Sequence, residues 1–133
     1  MAGLPLMPEQ HKDGVSFVAA LKGGKDIKRD AIFWHFPHYS NHGFQSPGGA
    51  VRYKNYKLLE YYENNTVQLF DLDKDLKEEN DLSKAMPEKV NELRAMLKQW
   101  RTDVGAKMME PNPGYDPKIK PADVQPGKAK GSI

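Results

Sequence analysis

At 133 residues the chain is long enough for one small domain, and 38% hydrophobic against 29% charged residues leaves only a modest core to build. Twenty basic side chains against eighteen acidic ones give a net charge of +2, a near balance that calls for no nucleic-acid partner. The absence of cysteine excludes disulfides, thiolate metal sites and a thiol nucleophile together, and no run approaches the roughly 18 apolar residues of a membrane helix.

Residues 1–30 read as an extended lead-in. Asp13-Gly14 is a turn signal, residues 15–21 form a short apolar segment, and Gly23-Gly24 ends it. Residues 31–36 are rich in aromatic and β-branched side chains and predict a strand, which Pro37 stops because it has no N–H to donate. A loop of Ser, Asn, Gly and Pro follows to Gly49. Residues 50–53 and 56–62 predict a hairpin closed by Lys54-Asn55, with Asn55 expected to take the positive φ. Asn64-Asn65 closes a second hairpin onto residues 66–71, giving about four short antiparallel strands.

The stretch 71–83 is polar and acidic. Pro87 then suits the first turn of a helix, and Glu88 places a negative charge at its positive end. Val90, Leu93, Leu97, Trp100 and Val104 recur at spacings of three and four, which lines one helix face, and Gly105 fits the C-terminal cap. A small sheet needs one face covered, and this helix is the cover. The expected fold class is therefore α+β: an antiparallel sheet of about four strands against one long C-terminal helix over 31–105, with extended arms at both ends. Residues 106–133 carry five prolines and several lysines and read as an extended tail.

Several clusters invite a chemical reading. His35, His38 and His42 lie within eight residues, but a strand-and-loop placement suits packing or rim histidines better than zinc ligation. Asp71, Asp73 and Asp75 begin with the spacing of an EF-hand loop, yet Leu76 and Leu82 stand where that loop needs Gly and Glu, so a turn is expected. Arg52 and Lys57 are expected to be exposed on neighbouring strands and paired with Glu60 or Glu63. Trp34, Phe36, Tyr56, Tyr61, Tyr62, Phe70 and Trp100 are expected to be mostly core. Asn64-Asn65-Thr66 is a glycosylation sequon that also reads simply as a turn.

The order of these segments resembles the C-terminal subdomain of type I, formylglycine-dependent sulfatases of the arylsulfatase-like family. The resemblance rests on Phe33-Trp34-His35-Phe36-Pro37-His38-Tyr39 as first strand, and on Ala50-Val51-Arg52 with Tyr56-Lys57-Leu58 as hairpin. Leu69-Phe70-Asp71-Leu72 as last strand, and Trp100 with Pro111-Asn112-Pro113 and Tyr115 as closing segment, complete it. Asp13-Gly14-Val15-Ser16 looks like the passage out of a catalytic domain, with Ala20 where members often carry Pro.

The resemblance implies a part of a sulfuric ester hydrolase, plausibly for sulfated carbohydrate, that shapes the substrate cleft. By the same resemblance His38, Tyr39, Asn41 and His42 are the candidate substrate-binding residues. The family's nucleophile motif and its acidic metal pairs do not occur here, so no catalytic residue and no metal ligand is assigned. Calcium and formylglycine are expected in a catalytic domain, which is the implied partner together with a sulfated substrate. Neither a nucleic acid nor a membrane is expected as partner. Full-length members are periplasmic, secreted or lysosomal. The competing expectation is a free-standing glycan-binding or docking module.

Overall fold

The computed structural model describes residues 7, 9–10, 14–24, 27, 29–39 and 46–114. A single helical turn, α1 (Val18–Leu21), precedes four strands, β1 (Ala31–Phe36), β2 (Gly48–Tyr53), β3 (Tyr56–Tyr61) and β4 (Thr66–Asp71), and one long helix, α2 (Pro87–Asp103). The strands form one antiparallel sheet in the order β1-β2-β3-β4. This is the expected α+β arrangement.

Alternation sets the two faces of the sheet. Phe33, Val51, Leu58 and Leu69 stand in one cross-strand row. Beneath that row α2 presents Val90, Leu93 and Leu97, and these buried residues form the core with Ala31, Tyr53, Tyr56, Val67, Met96 and Trp100 packed around it. Trp100 stacks on Phe33 with ring centroids 5.1 Å apart and planes within 6°. Pro87 stands in the first turn of α2 and Glu88 follows it there, as expected.

The details depart from expectation in four places. The helix ends at Asp103, so Val104 caps it and is half exposed instead of continuing the apolar face; Gly105, at φ +64°, turns the chain away. In the first hairpin the positive φ falls on Lys54 (55°), not Asn55. Asn55 is held otherwise: its side-chain amide donates to Asp71 Oδ1 at 2.9 Å, and its carbonyl accepts from the Leu72 N–H at 2.7 Å. Arg52 and Lys57 do face each other across the hairpin, but Lys57 pairs with Glu78 at 2.6 Å, not with Glu60 or Glu63. Finally, the aromatics divide: Phe70 is buried, whereas Trp34 and Phe36 point away from α2 and are 48% and 39% exposed. Strand alternation puts them opposite Phe33 and His35, on the face that the helix does not reach.

The acidic stretch after β4 is an ordered edge. Asp71 Oδ1 also accepts the Asp73 N–H, and the Asp75 carboxylate accepts the Glu79 and Asn80 N–H groups. Asp81 Oδ1 then accepts the Leu69 N–H at 3.0 Å, and the Leu82 N–H donates to the Leu69 carbonyl at 2.8 Å. The outward-facing backbone groups of Leu69 are thereby occupied by the chain's own loop.

Candidate functional site

The rim residues follow directly on β1. Pro37 ends the strand, which puts His38 and Tyr39 on the loop beyond it. Both are exposed. The Tyr39 hydroxyl donates to Glu63 Oε1 at 3.0 Å, which ties this loop to the β3–β4 hairpin, and the His38 ring meets Phe36 edge-on at 5.5 Å. On their other side runs the segment after α2, and Pro37, His38 and Tyr39 with Lys107, Met108, Met109 and Glu110 enclose a groove of about 540 Å³. Asn41 and His42 lie outside the described residues, so the structure brings together two of the four expected rim residues. Among the described residues no group of three or more His, Asp and Glu side chains could hold a metal. The chain has no cysteine, so the described residues do not fit a calcium–formylglycine centre built on one.

Behind the groove lies a polar network that sequence reasoning missed. Glu60 sits on the core face of β3, and its carboxylate is buried. Arg94 Nε donates to its Oε1 at 3.0 Å and Arg101 Nη1 to its Oε2 at 2.6 Å. Arg101 Nη1 also lies 3.2 Å from the Tyr62 hydroxyl, and that hydroxyl lies 2.6 Å from His35 Nδ1. His35 Nε2 is 2.8 Å from the Lys107 carbonyl. A carbonyl can only accept, so Nε2 carries the proton and, in the neutral ring, Nδ1 accepts the Tyr62 hydroxyl. The two nitrogens of one histidine thus join the hairpin to the segment that forms the far wall of the groove.

The network shifts its own titrations. Burial pushes the Tyr62 phenol above its ordinary value, against the opposing pull of Arg101. For Arg101 burial works against the charged form, but the hydrogen bonds it donates to Glu60 and Tyr62 outweigh that and hold the guanidinium above its ordinary value. The signal for this cluster was available in part. Leu58, Glu60 and Tyr62 alternate onto one face, and Arg94 and Arg101 are two helical turns apart. The missing information was the register that aligns β3 with α2.

A four-stranded antiparallel sheet backed by one C-terminal helix is the α+β architecture of the C-terminal subdomain of the sulfatases. The family described as N-sulphoglucosamine sulphohydrolase, C-terminal, matches residues 1–105, and the chain belongs to it. A sulfatase of Formosa agariphila is 32% identical over 88 residues, covering 61% of this chain and 16% of its own length. Among solved structures, a 2-O GAG sulfatase superposes with a TM-score of 0.66 at 28% identity, covering 79% of this chain and 23% of that one. A protein of Bacteroides thetaiotaomicron VPI-5482 assigned as a sulfatase gives a TM-score of 0.66 at 27% identity, covering 84% of this chain and 25% of that one. The chain therefore spans a quarter or less of the length of these relatives.

Proposed function

We propose that this chain serves as the cleft-shaping C-terminal part of a sulfuric ester hydrolase acting on sulfated carbohydrate. The observation that carries the reading is the family match over residues 1–105 on a fold that supplies an exposed groove and, among the described residues, no cluster of metal-ligating side chains. His38 and Tyr39, followed in sequence by Asn41 and His42, form the substrate-facing rim, where loops on a rigid sheet carry binding groups. Their contribution is hydrogen bonding and shape toward the sugar, not bond cleavage: Tyr39 is fixed by Glu63 and His38 offers an exposed imidazole beside it. The name of the 2-O GAG sulfatase among the relatives supports a sulfated glycan as substrate.

Sulfate-ester cleavage in this family draws on calcium and formylglycine, and these belong to a catalytic domain, whether in the same polypeptide or in a separate chain. The isolated chain is accordingly inactive. Incubating the pure chain with a chromogenic aryl sulfate in calcium-containing buffer is expected to give no turnover above buffer alone. Calcium-dependent turnover that copurifies with the chain would refute the division of labour. The free-standing module is disfavoured by the uncovered apolar side chains of the sheet, since an independent module is expected to bury such a patch.

A further inference from the structure

The polar network and the groove share one side chain. His35 is half-buried on the helix-facing side of β1, and its Nε2 holds the Lys107 carbonyl at 2.8 Å. That is one residue beyond the Ala106 N–H, which donates to the Arg101 carbonyl at 2.9 Å. From Lys107 onward the chain is groove wall. Tyr62 orients the His35 ring. Its N–H donates to the Pro47 carbonyl at 3.0 Å, which fixes the residue just past the end of β3. Its side chain passes over Gly49, the cross-strand partner of His35, where a Cβ would collide with the phenol oxygen. The missing side chain at Gly49 opens the path by which the hydroxyl reaches His35 Nδ1 at 2.6 Å.

Arg101 supports the phenol from the helix. Its guanidinium stands 5.4 Å from the Tyr62 ring centroid, Nη1 donates to the phenol oxygen at 3.2 Å, and Glu60 anchors it. With Arg101 donating to the oxygen, the hydroxyl's own proton points to Nδ1. Which nitrogen of a histidine carries the proton is set by the hydrogen bond that the other one makes. The opposite tautomer would turn the Nε2 lone pair on the Lys107 carbonyl and take away the acceptor of the Tyr62 proton. We propose that Tyr62 is a positioning residue of the groove: by donating to His35 Nδ1 it holds the ring as the Nε2–H tautomer, and this fixes the 107–110 wall opposite His38 and Tyr39. The proposal rests on the functional reading above, which makes that groove the place where a sugar lies. Tyr62 acts there through His35 and the wall, not by touching the sugar.

The test follows the whole chain in solution by nuclear magnetic resonance. In the unsubstituted chain the His35 ring nitrogens are expected to read as Nε2–H with a bare Nδ1. Backbone 15N relaxation of residues 107–110 is expected to give order parameters near the rigid value of about 0.85. Tyr62→Phe keeps the aromatic ring and removes the donor. It is expected to mix the His35 tautomers and to lower those order parameters below about 0.6, while the values within α2 stay unchanged. His35→Gln supplies an amide that donates from its nitrogen and accepts at its oxygen, with no tautomer to choose. Added to Tyr62→Phe it is expected to restore the rigid values, a rescue that loss of Tyr62 packing alone would not permit. An Nδ1–H tautomer or an already flexible wall in the unsubstituted chain overturns the proposal, and both are read even if Tyr62→Phe fails to fold. A wall that stays rigid in Tyr62→Phe, or stays loose in the double variant, overturns it as well. None of these readouts uses sulfate-ester turnover, so their failure leaves the functional reading in place. Turnover by the isolated chain, which would refute that reading, leaves them unchanged.

Discussion

Glu60→Gln tests whether the buried ion network holds β3 to α2. The Glu60 side chain is 8% exposed and is shared by Arg101, 16% exposed, and Arg94, 37% exposed. Removing one partner of a buried pair costs about 3–5 kcal/mol, because the opposite charge stays behind without water. Arg94 can recover hydration, and an exposed pair of its kind contributes only about 0.2–1 kcal/mol. Glutamine keeps one acceptor oxygen, which retains a hydrogen bond of about 1 kcal/mol. The expected net loss is therefore about 2–3 kcal/mol, carried mainly by Arg101. At about 4–8 °C per kcal/mol for a domain of this size, thermal melting followed by circular dichroism should fall by roughly 10–20 °C. Glu60→Leu combined with Arg101→Leu should recover most of that loss, since both buried charges leave together. A loss below about 1 kcal/mol for Glu60→Gln, or a double variant less stable than the single one, would refute the assignment of the network as a buried, water-excluded unit.

Two further outcomes can be measured on the same chain. An added methyl in Gly49→Ala would meet the Tyr62 hydroxyl and lie 3.1 Å from the Trp34 carbonyl oxygen. Urea unfolding should show a loss of about 1–3 kcal/mol from that overpacking, and an unchanged midpoint would contradict the close approach. In acid, Asp71 is held below the usual carboxylate range by the Asn55 amide, then by Lys74 and the Asp73 N–H. A depressed folded value means that stabilisation is complete above the unfolded value of about 4 and disappears as pH falls through the lower folded one. Melting temperature should thus be level from pH 7 to about 5 and drop below about 4, with a shallower drop in Asp71→Asn; an equally steep drop in the variant would exclude this carboxylate as a source.

The elements were legible because their signals are local. Ala31 to Phe36 is rich in aromatic and β-branched side chains, Asn64-Asn65 punctuates, and Val90, Leu93 and Leu97 repeat at helical spacing, so sheet and helix could be read without knowing what they touch. What escaped depends on pairing across distance. Glu60 lies 34 and 41 residues from Arg94 and Arg101, and only the register of β3 over α2 makes them partners. Trp34 and Phe36 were read as core because aromatics usually are, but whether a strand's second face is covered is decided by elements beyond that strand. Lys54 carries the positive φ while Asn55 is committed to Asp71 and Leu72, contacts between residues 16 or more apart that local turn preference does not include. Of the rim, His38 and Tyr39 were readable as loop residues from Pro37 alone; the groove wall formed by Lys107 to Glu110 was not, since it requires the chain to return past β1 after a full helix.

The treatment of β4 has a consequence for how the molecule behaves in a crowded solution. A strand at the margin of a sheet is ordinarily a template on which a neighbouring molecule can lay down another strand, the first step toward fibrous association. Here Asp81 and Leu82 already satisfy Leu69 from the outside, so an incoming chain finds the middle of that margin taken. An added strand there would have to displace the chain's own loop before it could pair along the full length of β4.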